Sequence, residues 1–146
     1  MANLEYIYRN RERSLFLRRL SFLLWVVKTY NSNKLCFYIN EEGDKVFIYK
    51  IDDFYSPIGR HLGEHICYKW NNVNESNIQN LWTVFRNDIP VWMRDLGINF
   101  MRKIQEFHDN EFNWNERGLT EQGKFYFCQF VTNILTQNQE ENPLKL

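Results

Sequence analysis

Between Leu4 and Tyr30, apolar and polar residues recur at helical spacing. Phe16, Leu20, Leu23, Leu24 and Val27 share one side of a helical wheel. Arg11, Ser14, Arg18, Ser21, Trp25 and Lys28 follow one another at steps of three and four on the other side. This pattern predicts one long helix with a solvent-facing polar stripe. From Phe22 to Val27 the helix is apolar almost all round, which sends its second half into the core. Asn31-Ser32-Asn33 is expected to end it.

The period then changes. Residues 35–39 and 46–51 are β-branched and aromatic runs around Asn40-Glu41-Glu42-Gly43-Asp44, a turn with a glycine available for positive φ. Residues 65–70 read as a third strand. The expectation is a small three-stranded antiparallel sheet, apolar on both faces and covered at least in part on both. Helical spacing returns after the polar residues 71–75. Ser76 and Gln79 have capping-box spacing, and Ile78, Leu81, Trp82, Phe85 and Ile89 follow. Pro90 interrupts the pattern. Met93, Leu96, Phe100, Ile104 and Phe107 continue an apolar face, and residues 109–118 form a polar loop carrying two rings. Thr120 is a predicted N-cap for a last helix with Phe127, Phe130, Val131, Ile134 and Leu135 on one side. The polar tail from Gln137 is expected to fray. The fold class that follows is α+β: an N-terminal helix, a small three-stranded antiparallel sheet, then three helical segments packed on it. A chain of 146 residues fits one domain that needs no disulfide or metal to hold it.

Charge and cysteine content narrow the function classes. The formal net charge is zero, which argues against a general nucleic-acid binder. Cys36, Cys67 and Cys128 are odd in number and flanked by apolar or aromatic residues, so reduced thiols and a cytoplasmic location are expected. Arg18 and Arg19 interrupt the first helix, whose uncharged stretch falls short of the roughly 20 residues that span a bilayer. Lys28-Thr29-Tyr30 offers no small-residue cleavage site.

Three chemistries compete for the site. His61-Leu62-Gly63-Glu64-His65 has the H-x-x-E-H form. On a helix, His61 and His65 would share a face and hold a zinc, with Glu64 as base of a small hydrolase. Gly59 and Gly63 weaken helix formation there, and no third ligand is marked among Glu75, Glu111 and Glu141. A nucleic-acid alternative uses the stripe: Arg11, Arg18 and Lys28 would grip phosphates and Trp25 would stack a base. Separately, Arg102 and His108 resemble the Arg-and-His motif of the small helical ribonucleases called HEPN proteins. The resemblance covers seven residues and implies a proton-transferring His beside a phosphate-stabilising Arg. The HEPN fold is all-helical, whereas strands are predicted here.

The third chemistry is recognition. Twenty-five residues are aromatic. Most fall on positions that periodicity sends inward. The remainder sit in loops: Phe112 and Trp114 among Asp109, Glu111 and Glu116, with Trp70 and Tyr55 elsewhere. Rings in polar loops are the usual anchors of protein contacts. The leading expectation is therefore a non-enzymatic protein-binding module without a cofactor. It would neutralise a protein partner by masking its site, in the manner of a toxin-immunity protein or a phage inhibitor of host defence.

Overall fold

In the computed structural model, which describes residues 3–33, 37–71 and 78–141, the N-terminal pattern divides into two helices. They are α1 (Leu4–Arg9) and α2 (Leu15–Asn33). Local side chains explain the break. The Asn3 side chain accepts hydrogen bonds from the backbone of Glu5 and Tyr6 and starts α1. Asn10 leaves the helical region (φ −86°, ψ 103°), and its side chain accepts from Glu12 N. Ser14 Oγ accepts from Leu17 N and starts α2. Short polar side chains thus outcompete the continuing helix for backbone groups.

The break lets α1 fold back over the polar stripe of α2. Ser21 Oγ donates to Leu4 O at 2.8 Å, and Arg18 Nε donates to Arg13 O at 3.1 Å. Arg18, Ser21 and Trp25 are buried, while Leu17 and Leu24 stay 45% and 42% exposed. The middle of the stripe predicted to face solvent faces inward, while Arg11, Ser14 and Lys28 stay exposed.

Strand content is real but differently arranged. The first ribbon pairs β1 (Tyr38–Ile39) antiparallel with β2 (Lys45–Val46), and the second pairs β3 (Lys50–Ile51) with β4 (Phe54–Tyr55). Tyr38 lies opposite Val46, and Lys50 opposite Tyr55. Residues 65–70 are not a third strand. They belong to α3 (Glu64–Asn71), which buries Ile66, Cys67 and Trp70 and exposes His65, Tyr68 and Lys69. Positions 66, 67 and 70 satisfy a helical period, and the β-branched and aromatic composition had hidden it. The Asn71 side chain ties α3 to the ribbons, accepting from Tyr49 N and donating to Lys50 O.

The second half is helical with one more ribbon. It runs through α4 (Ile78–Val84), a 3-10 turn at Arg86–Asp88, α5 (Val91–Asp95) and α6 (Ile98–Asp109). Pro90 precedes α5, and Gly97 at φ 98° separates α5 from α6. A 3-10 turn at Glu111–Asn113 leads into β5 (Trp114–Asn115), which pairs antiparallel with β6 (Gly118–Leu119). The chain then enters α7 (Glu121–Glu141). The architecture is α+β with three two-stranded ribbons in place of one three-stranded sheet. The predicted apolar face of Met93, Leu96, Phe100, Ile104 and Phe107 is buried throughout. It joins Tyr8, Phe22, Ile58, Ile66 and Trp114 in one core. Among the described residues, no helix is long and apolar enough to cross a membrane. The Ser76 capping box and Cys36 lie outside the described residues.

Candidate binding site

The helical period that buries one face of α6 and α7 leaves a second face of each turned toward the other. Lys103, Glu106, Phe107 and Asn110 fall at steps of three, four and seven. Tyr126, Gln129, Phe130 and Asn133 repeat the same steps on α7. These eight residues and Asn113 line a cleft of about 320 Å³. Phe107 and Phe130 meet edge to face, with ring centroids 5.9 Å apart, and supply its apolar part. Its polar part comes from four primary amides, on Asn110, Asn113, Gln129 and Asn133, together with Lys103, Glu106 and the Tyr126 hydroxyl.

Asn113 is the most constrained of these. It is 1% exposed, and its Nδ2 donates to Phe107 O at 2.9 Å. A carbonyl only accepts, so this bond fixes which way the amide points. Its Oδ1 is left buried without a hydrogen-bond partner. Thr120 anchors the same corner. Its Oγ1 donates to Phe112 O at 2.6 Å and accepts from Gly123 N, as its reading as an N-cap requires. Gly123 lets α7 come close: a Cβ there would lie 2.5 Å from Asn113 O.

The ring-bearing loop joins the cleft through Asn110 and Asn113, but its rings divide. Trp114 is fully buried, donates from Nε1 to His108 O at 2.9 Å, and packs on Phe107. Trp70 is buried as well, edge-on to Phe85. Neither can anchor a partner, contrary to the expectation from sequence. Each is a plug that returns from a surface segment into the core. Tyr55 is half-buried beneath the Arg60 guanidinium. Phe112, by contrast, is 66% exposed. Asp109, Glu111 and Glu116 are exposed around it. The loop is held firmly: Asn110 Oδ1 accepts from Phe112 N, and Lys45 Nζ donates to Glu111 O and Trp114 O. The amides of α7 show in the sequence only as the helical spacing of Tyr126, Gln129 and Asn133, a pattern shared by any solvent-facing helix side.

The zinc arrangement does not form. His61 ends a 3-10 turn (Gly59–His61), whereas His65 lies on α3, exposed, with Glu64 in that helix's first turn. Both nitrogens of His61 are occupied. Arg9 Nη2 donates to Nδ1 at 3.1 Å, and Nε2 meets Tyr8 Oη at 3.1 Å. Arginine has no acceptor, so Nδ1 carries the lone pair and Nε2 the proton that goes to Tyr8 Oη. Burial, then the nearby Arg9 and Arg60 cations, push the imidazole pKa down to about 3. Burial also raises the Tyr8 phenol well above its ordinary range. Among the described residues, no three His, Cys, Asp or Glu side chains converge as metal ligands.

The nucleic-acid stripe does not form a surface either. Arg18 and Trp25 are buried, with the Trp25 ring 4.9 Å from His61. Arg11 pairs with Asp95, and Lys28 alone of the four projects without burial or an ion pair among the described residues. Arg102 and His108 stand apart on α6. Arg102 is exposed near Glu106, and His108 is fully buried with Nδ1 3.2 Å from Asp109 Oδ1. Cys67 is a buried thiol whose pKa burial pushes up to about 11, while Cys128 is exposed on α7.

The α6–α7 cleft and the exposed Phe112 lie at the same end of α6, and no protein-family model, curated protein or solved structure matches the chain.

Proposed function

We propose that the chain is a protein-binding module that masks a site on its partner, with the α6–α7 cleft and the projecting Phe112 as its contact surface. The observation that supports this reading is the set of accessible amides, on Asn110, Gln129 and Asn133, that lines the cleft together with the Phe107–Phe130 pair. A primary amide both donates and accepts, so it matches the N–H and C=O groups of another protein's backbone. Phe112 is the apolar anchor beside these polar groups. Asp109, Glu111 and Glu116 add negative charge, which suits a partner whose site is basic, such as a nuclease toxin or a defence effector.

Cross-linking tests the assignment. A photoreactive benzoyl-phenylalanine at position 112 should capture one protein from the native cells, and the same group at Tyr68 on α3 should not. Gln129→Arg and Asn133→Arg should each reduce that adduct by about ten-fold or more with the thermal melt unchanged. An adduct that survives both substitutions overturns this surface as the site.

A further inference from the structure

A second cleft of about 650 Å³ lies at the other end of α6. Ile98, in its lining, opens the helix, and the amide cleft begins at Lys103 and extends past the helix end at Asp109. Twelve helical residues separate the two ends by about 18 Å. The second cleft is built differently. Trp82 comes from α4, Arg86 from the adjoining 3-10 turn, and Val91, Arg94 and Asp95 from α5.

Charge in this cleft is unbalanced. The Asp95 carboxylate is already engaged by Arg11, with Arg18 Nη1 at 4.0 Å. Arg86 and Arg94 have no ion pair among the described residues, and Arg94 Nε is buried without a hydrogen-bond partner. Asp88, exposed in the same 3-10 turn as Arg86, is the other carboxylate close by in sequence. Four guanidiniums therefore share this region with Asp95 and Asp88. A guanidinium keeps its proton throughout the working range of a protein, so the positive charge cannot be titrated away.

We propose that this cleft binds a nucleoside phosphate, with the phosphate held by Arg86 and Arg94 and the base laid against Trp82. Two planar forks suit the oxygens of a phosphate better than a single point charge does. An indole accepts any base by stacking, and Val91 and Ile98 offer an apolar wall beside it. The volume exceeds what a lone inorganic ion fills and lies in the range of small-ligand sites. The phosphate and base can belong to a free nucleotide or to the 5′-phosphorylated end of a single strand, since both present the same groups.

Calorimetric titration of the full chain tests this with four probes: adenosine 5′-monophosphate, adenosine, inorganic phosphate, and a short 5′-phosphorylated single strand. The nucleotide should saturate one site, and adenosine or inorganic phosphate alone should bind about ten-fold more weakly or worse. Arg86→Gln and Arg94→Gln should each lower nucleotide affinity by about ten-fold. Arg86 is exposed, so its variant tests the site even if Arg94→Gln fails to fold. Trp82→Leu should weaken the nucleotide and leave inorganic phosphate unchanged. Tighter binding of the strand than of the nucleotide assigns the strand as source, and equal or weaker binding assigns the free nucleotide. No saturable binding of either at millimolar concentration overturns the proposal. So does an affinity unchanged in Arg86→Gln.

Discussion

His61 shows how a side chain that looks reactive in sequence becomes structural in the fold. Its ring is surrounded by Tyr8, Phe22, Trp25 and Trp92, and both nitrogens are spent on Tyr8 and Arg9. Adding a proton would remove the acceptor that Arg9 needs and place a cation beside two others. The sign of the pH dependence follows. The pKa falls from the ordinary 6.5 to about 3 on folding, so the unfolded chain binds more protons between those values. The contribution of neutral His61 is therefore complete above pH 6.5 and lost as pH drops toward 3. Thermal melts should show stability declining through that window, and His61→Gln should flatten the decline by up to one proton. Imidazole nitrogen NMR at neutral pH should find the proton on Nε2. A protonated Nδ1 at pH 7 would contradict the hydrogen-bond assignment.

At the scale of elements, α2 carries the clearest reversal. The middle of its polar stripe, Arg18, Ser21 and Trp25, is buried beneath α1, so Trp25 should be costlier to replace than Leu24 on the side expected to be apolar. Trp25→Ala should cost about 3–5 kcal/mol, whereas Leu24→Gln should stay within about 0.5 kcal/mol. Denaturant titration of the two variants measures the difference, and equal costs would refute the packing. The face from Met93 to Phe107 was legible in the sequence because its burial follows its own period. So was the Thr120 cap, a local bond between a side chain and a nearby backbone N–H. The direction of α2 was not legible, because it depends on where α1 lands after the turn at Asn10. Residues 65–70 failed for a different reason: a six-residue apolar run fits a strand and a helix equally well, and only its neighbours decide. In the candidate site, the exposed Phe112 was readable as a ring among polar residues. The plugging of Trp114 was not, since it rests on a contact with His108 O that only the folded loop creates.

At the scale of the whole molecule, most of the aromatic excess is absorbed by a single core that runs from Tyr8 to Ile134. One core implies one cooperative transition for a chain of this length. Cys67 reports on it, being buried and held as a thiol by its raised pKa of about 11. Pulse labelling with iodoacetamide at neutral pH should modify Cys128 in the native protein. Cys67 should react only along the same denaturant curve as the loss of native tryptophan fluorescence. Early labelling of Cys67 would mean that α3 opens independently of the rest. The zero net charge, too, is a sum and not a uniform property: the guanidiniums of Arg11, Arg18, Arg86 and Arg94 gather at one end of α6, and Asp109, Glu111 and Glu116 lie at the other, with Arg117 among them.

The three ribbons carry a consequence for how any partner can be met. Each strand is two residues long. An edge that short offers too few backbone donors and acceptors to seat an added strand. Recognition by sheet extension is closed to these ribbons, and so is the edge-to-edge stacking that starts fibrils. A partner that met these ribbons would have to be recognised through their side chains, where a single substitution can erase specificity.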